Sequence, residues 1–461
     1  GTEILRNGAF TEGMAGWNFE THEGAQAKSR LTDGRLEVVV EKAAQQNWHV
    51  QFFRSGIELR AGEGYTLTFR ARSDAPRLVT ATASQAHDPW RVFGTKSVQL
   101  SPEWRSFALR FTADEEEKNA RVGITSLGAE AGRYEFDDFS LAVSGSDGSV
   151  PRDEAGRVIA FKKDDVAGRT LTAQQDWHRF LWQTEEAYWN GLKKFLRDEV
   201  NTRSLIIGTQ LGWSPFPIQA AMDVIDSHAY WQHPHFPRKQ WDMNDWTVKN
   251  IPMAGAEGGG TLASLALQRV VGKPYVCTEY NHSAPNSYSS EAFPLVCAYA
   301  AMQDWDGVFA FAYSHRRDDW DAGAIRGFFD IDQHPAKMAT LPAAAALFRR
   351  ADVAIGKGQA VASMTVDAAI EQARRRGPRL NAGEFGVKWQ EAFIRRVGVR
   401  TDDGERNDAR PEPTEKALRS DTGELIWDTA RGVVVIDSAK SQGVIGAIKG
   451  APFMLGDVQI E

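Results

Sequence analysis

The hydrophobic period of this chain changes once, near residue 176, and that change constrains its fold more than any other feature. Before it, eight short segments, RLEVVVEK, WHVQFFR, YTLTFRARS, RLVTATAS, KSVQL, RSFALRFTA, ARVGITS and YEFDDFSLAV, alternate apolar with polar residues between turns of Gly, Asp, Pro and Ser. Period two is what a strand with one buried face requires, so residues 1–145 are expected to form an all-β sandwich or jelly roll. Residues 146–175 lose periodicity and read as a linker. From 176, Phe180, Leu181, Ala187, Tyr188, Leu192, Phe195 and Leu196 recur at three- and four-residue intervals, which predicts a long helix to about 200.

Four apolar runs follow, SLIIGTQ (204–210), DVIDSHAYW (223–231), KPYVCTEYN (273–281) and GVFAFAYSH (307–315), with helical patterns such as TLASLALQRVVG between them. Strands alternating with helices predict a parallel sheet covered on both faces over 176–350. Residues 351–461 read as an accessory region, β-rich from about 422 and incomplete, since the chain stops within a strand pattern. The charged stretch 399–421 is expected to be a solvated loop.

Composition removes several function classes. Among 461 residues, 54 Lys and Arg stand against 61 Asp and Glu, so no broad basic face is available for phosphate backbones and nucleic acid is not expected as a partner. No run approaches the roughly 18 apolar residues of a membrane span, and GTEILRNGAF has no signal-peptide character. Cys277 and Cys297 give neither a disulfide framework nor metal-ligand spacing, and no HExxH is present. The 15 Trp suit a protein that stacks on sugar faces, although most are expected in the core.

The order LRNGAFTEGMAGW, WHVQFF, YTLTFRARS and YEFDDFSL resembles carbohydrate-binding modules of families four and nine over nearly all of residues 3–143. The resemblance implies a jelly roll whose aromatic residues lie against pyranose rings, with Trp48, Gln51, Gln85, Trp90, Arg91 and Phe93 as candidate contacts. Trp17, Phe10 and Phe69 are read as core. Asp137 and Asp138 match a position where such modules hold a structural calcium with help from the N-terminal segment.

Glu279 is the sharper signal, because a carboxylate at the C-terminal end of an apolar strand stands where barrel enzymes place their chemistry. DSHAYWQHP, TEYNH and FAFAYSH resemble strands six, seven and eight of the clan A retaining glycoside hydrolases. The resemblance implies the second half of a (β/α)8 barrel, strands five to eight, with Glu279 as nucleophile and no cofactor for catalysis. It places His228, Tyr230, Trp231, His233, Trp241, Tyr280, Asn281, His282, Tyr313 and His315 around the sugar. The clan's acid/base Glu follows an Asn on strand four, and no Asn-Glu pair precedes SLIIGTQ. The acid is therefore expected on a first half-barrel carried by an upstream segment or a second polypeptide. Glu257, Asp318, Asp319 and Asp321 are the alternatives within the chain, and GGG at 258–260 is read as a flexible loop over the site. The substrate expected is a β-linked plant or algal polysaccharide, which implies a secreted or periplasmic enzyme. The rival reading is a carbohydrate-binding protein whose barrel portion is catalytically silent.

Overall fold

A computed structural model describes residues 2–44, 46–145, 155–161, 163–318, 320–321, 323–325, 327–377, 380–402, 413, 416–448 and 452–460. The chain divides into two compact units, Gly1–Phe180 and Leu181–Glu461.

Among its described residues the first unit has eleven strands. They are β1 (Thr2–Glu3), β2 (Trp17–Thr21), β3 (Gln26–Thr32), β4 (Arg35–Lys42), β5 (Val50–Leu59), β6 (Gly64–Ser73), β7 (Arg77–Gln85), β8 (Val92–Leu100), β9 (Arg105–Thr112), β10 (Glu117–Thr125) and β11 (Gly132–Val143). One antiparallel sheet runs β3-β4-β11-β6-β9 with β1 on β11, and the other runs β2-β5-β10-β7-β8. The alternating apolar residues meet between them, with Phe52 of one sheet 4.9 Å from Phe136 and 5.7 Å from Phe139 of the other. Phe10, Trp17 and Phe69 are buried in this core. All eight expected strands are present. The three additional ones, β1, β2 and β3, are short or polar, and β3 (QAKSRLT) is an edge strand with every residue exposed or half-buried.

Chain register decides which residues face out. Phe52, Ala81 and Ile124 point into the core, so their neighbours Gln51, Phe53, Thr82 and Gly123, and Arg121 further along β10, line the opposite face of the five-stranded sheet.

In the second unit, β12 (Ile225–Trp231), β13 (Tyr275–His282) and β14 (Gly307–Ala310) form a parallel sheet in that order, accompanied by the helices Gly260–Ala266, Ala292–Met302 and Pro335–Arg349. SLIIGTQ, expected as a strand, makes one parallel bridge, Ile207 to Val224. Backbone bonds from the Asp223 N–H to the Ile206 carbonyl at 3.0 Å and from the Leu211 N–H to the Asp226 carbonyl at 2.8 Å are supplemented there by side chains, the Ile206 N–H going to Asp223 at 2.8 Å and the Thr209 N–H to Gln219 at 3.0 Å. The parallel βα layer is thus narrower than the four strands expected. The predicted helix is Leu171–Asp198; Leu181, Tyr188, Leu192 and Phe195 on it are exposed, while Trp182 is buried.

The glycines at 258–260 differ from the flexible loop expected. All three have positive φ, and a Cβ at Gly259 would stand 2.3 Å from the Phe393 ring, so they form a packed turn leading into Gly260–Ala266. Downstream, the parallel pair Gln359–Ser363 and Arg396–Arg400 flanks the helix Val366–Arg376, and the strands Ala417–Arg419, Leu425–Asp428, Val433–Asp437 and Gln442–Gly446 form an antiparallel sheet. Trp427 from that sheet is buried against Phe393, 4.5 Å away.

Asp223 ties the long helix to the segment before β12 and yields the first prediction. Its hydrogen bond from Lys193 at 2.8 Å, the Ile206 N–H and the Arg197 guanidinium hold its carboxyl down at about 2. A depressed carboxyl stabilises the fold above its unfolded value near 3.8 and loses that contribution as pH falls towards 2. Asp223→Asn is expected to cost about 1 kcal/mol at neutral pH. Thermal melts should show the variant's deficit shrinking between pH 4 and 2, and a deficit constant through that window would reject the assignment.

Candidate functional site

Two constellations emerge, one on each unit. In the first, the outward face of the five-stranded sheet carries Trp90 at one end and Trp48 at the other, and both are about half exposed. Trp90 stands in the β7–β8 loop, whose Trp90 N–H closes onto the His87 carbonyl at 2.7 Å. Trp48 lies in the turn before β5, its ring 5.3 Å from His22 and 4.5 Å from His49. Arg121 sits between two rings, its guanidinium 5.0 Å from the Trp90 centroid and 4.6 Å from Phe53, with Nε donating to Ser84 at 3.2 Å. Burial lowers the Arg121 pKa from its ordinary value and the Glu20 charge opposes that shift. The face thus offers flat apolar surfaces alternating with fixed donors and the Glu20 acceptor, the pairing that sugar rings and hydroxyls need.

Three expected contacts on this unit, Phe93, Arg91 and Gln85, require correction, while Gln51 keeps its place on the outward face. Phe93 points into the core because β8 alternates there. Arg91 is held by Asp114 and, at 2.6 Å, by Glu115, so its charge is already paired. Gln85 is buried, its Oε1 accepting from the Arg91 N–H at 3.2 Å. Gln51 is nearly buried but faces outward, donating to Glu20 at 3.2 Å. Phe53 and Arg121 were not anticipated; their outward parity next to Phe52 and Val122 is the signal that finds them. The calcium expected at Asp137 and Asp138 is not supported. Asp138 pairs with Arg70 at 3.2 Å and Asp137 accepts from the Asp138 N–H, and among the described residues no group of three or more His, Cys, Asp or Glu is arranged to hold a metal.

The second constellation lies at the C-terminal ends of β12 and β13. Their register slips by one between the Asp226/Val276 and His228/Glu279 pairs, so Thr278 and Glu279 both reach the Asp226–His228 pair. Asp226 accepts from Thr278 Oγ1 at 2.7 Å and lies 3.0 Å from His228 Nε2, which is also 2.8 Å from Thr278 Oγ1. His228 Nδ1 then faces Glu279 Oε2 at 3.3 Å. Tyr230 donates its hydroxyl to the same oxygen. Burial, followed by the Glu279 carboxylate, raises the Tyr230 pKa, which keeps the hydroxyl protonated and a donor. The Tyr230 ring is stacked on Phe329 at 4.4 Å and meets Phe311 and His233 edge-on. Glu279 keeps about a third of its side chain exposed, so one carboxylate is aimed, held and open.

The other expected residues divide. His233 and the exposed Trp241 continue the aromatic rim, with rings 5.7 Å apart. Tyr313 and His315 are exposed beyond β14, and His315 Nδ1 lies 2.5 Å from Asp330. Trp231 is turned aside, donating to the Ile251 carbonyl. Tyr280, Asn281 and His282 are buried and do not line an open site. Strand alternation sends Tyr280 and His282 away from the Glu279 face, where the Tyr280 hydroxyl meets His282 Nε2 at 3.0 Å. Asn281 faces as Glu279 does, but its amide is consumed by the Phe311 and Phe329 carbonyls and by the buried Lys337. Burial pushes Lys337 down to about 7. Cys277 is fully buried, and burial raises its thiol pKa. Asp319 lies outside the described residues.

Among the described residues no helix is long and apolar enough to cross a membrane. Residues 2–128 match the family model described as a carbohydrate binding domain of the four/nine type. A structure titled as that of a family-four carbohydrate-binding module is 25% identical and covers 30% of this chain and 99% of its own, with a TM-score of 0.28. The second N-terminal cellulose-binding domain of Cellulomonas fimi β-1,4-glucanase C is 21% identical, covering 32% of this chain and 96% of its own at a TM-score of 0.28. A xylan-binding domain from Paenibacillus barcinonensis is 15% identical, covering 32% and 97% at 0.25. No curated protein matches the chain. The N-terminal unit therefore carries a carbohydrate-binding domain of the four/nine type.

Proposed function

We propose that this chain belongs to a retaining glycoside hydrolase that grips a β-linked polysaccharide through the outward face of its N-terminal five-stranded sheet and cleaves it at Glu279. The observation that carries the reading is the convergence of Tyr230 and His228 on Oε2 of one partly exposed carboxylate at the end of a parallel strand. A nucleophile attacking an anomeric carbon needs an ionised oxygen aimed into a cleft, and the two neighbours hold that oxygen in one orientation. Secretion or periplasmic location follows from a polymeric substrate that does not enter cells.

Retention also needs an acid about 5 to 5.5 Å away to protonate the departing oxygen. Within the described residues the groups on the Glu279 carboxylate are Tyr230 and His228, with Asp226 behind them. We assign the acid to a first half-barrel contributed by another segment or chain. The solvent-facing Leu181, Tyr188, Phe195, Leu205 and Ile207 support that assignment, since they leave apolar surface for a neighbour to cover. The rival is a binding protein without catalysis, in which Glu279 serves as a ligand contact.

A fluoro-sugar with a dinitrophenyl leaving group separates the two, because so good a leaving group departs without a proton and tests the nucleophile alone. Mass spectrometry is expected to find one glycosyl adduct per chain on the peptide containing Glu279. No adduct across gluco-, xylo-, manno- and galacto-configured reagents would favour the binding protein.

A further inference from the structure

A pocket of about 530 Å³ lies on the first unit at the edge of the sandwich, away from the five-stranded sheet's outward face. Thr66 and Arg110 of the paired strands β6 and β9 form its floor, Lys96 of β8 reaches across from the other sheet, and Asp165 to Arg169 of the returning chain close it. That cover is fastened, since the Thr112 N–H and hydroxyl bond the Ala167 and Arg169 carbonyls at 2.7 and 2.8 Å.

The charges in it are one-sided. Among its described lining residues Lys96, Arg110 and Arg169 stand with one carboxylate, Asp165, in a protein whose net charge is -7. Lys96 Nζ gives one proton to the Ala108 carbonyl at 3.0 Å and keeps two. Arg110 has neither a hydrogen bond nor an ion pair among the described residues, unlike Arg91 and Arg72, which are paired. Arg169 is set against the Phe161 ring at 5.0 Å. Thr66 donates to Ser144 Oγ at 2.8 Å, so the Ser144 proton is also free to point elsewhere. Besides these donors the pocket has apolar wall from Tyr65, Ala108 and Phe111. Its volume exceeds a bare inorganic anion and suits one or two sugar rings.

We propose that this pocket is a second saccharide site, selective for a ring bearing an anionic group, a uronate carboxylate or a sulfate ester. Arg110 and Lys96 take the anion, Ser144 a neighbouring oxygen, and the apolar wall the ring. The module would then hold a charged polysaccharide at two places, by stacking on the outward face and by charge at the edge. The assignment does not depend on Glu279 or on hydrolysis.

Titration calorimetry of the full chain with a uronate oligosaccharide, a sulfated oligosaccharide and a neutral one of equal length tests it. One of the charged ligands should bind at least tenfold more tightly than the neutral one at low salt and lose that margin as salt rises. Arg110→Ala with Lys96→Ala should remove the margin while neutral-glycan affinity and the melting temperature stay as before, and Arg110→Lys should retain part of it. Trp90→Ala should lower affinity for all three ligands and leave the margin. Equal affinity for charged and neutral ligands, or a margin that survives the double substitution or vanishes with Trp90, would overturn the proposal.

Discussion

Glu279→Gln is expected to abolish turnover, by roughly 10⁴-fold or about 5 kcal/mol of transition-state stabilisation, in any assembly of this chain that hydrolyses a glycoside. The amide is nearly isosteric and still accepts a hydrogen bond from Tyr230, so geometry survives while the attacking charge is lost. Affinity of the N-terminal sheet face for polysaccharide should be untouched, because that face and Glu279 belong to separate units. Steady-state kinetics on an aryl glycoside, with a polysaccharide pull-down in parallel, checks both halves. Turnover within tenfold of the parent would remove Glu279 from the mechanism, and loss of pull-down would show that the two units do not act separately.

The second large effect is expected from Trp48→Ala combined with Trp90→Ala. Each ring stacked on a flat ligand face contributes about 1 to 3 kcal/mol, a figure taken from aromatic stacking on bases, so together they should weaken binding of a soluble β-glycan by about thirtyfold or more. Both rings are about half exposed and outside the sandwich core, so the fold should persist and the melting temperature should move little. Calorimetry with β-glucan, xylan and mannan decides it. Retained affinity in the double variant would place the carbohydrate elsewhere on the domain.

The strands were legible wherever burial was one-sided. RLEVVVEK alternates because its inner face lies in the sandwich, and β4 spans that segment from Arg35 to Lys42. QAKSRLT escaped because an edge strand with little buried surface has no apolar alternation to show. Glu279 stood out because a carboxylate at the end of an apolar strand is conspicuous in one dimension. Its partners Asp226 and Thr278 did not, since they meet through a register slip that only three-dimensional pairing creates. Tyr280, Asn281 and His282 were drawn in by adjacency alone, where alternation and the claims of Lys337 and two carbonyls remove them. Arg91 shows the same limit for charge, because Asp114 and Glu115, distant in sequence, already hold it.

The seat of Arg121 between Trp90 and Phe53 has a thermodynamic consequence. An arginine free in solvent gives up rotamer entropy when it orders around a ligand, and so does a mobile indole. Here the guanidinium is clamped by two rings and by Ser84 before any sugar arrives, and it holds the Trp90 ring in turn. The ordering cost is met during folding, so a glycan reaching this face meets a stiff surface and retains more of its contact energy as affinity.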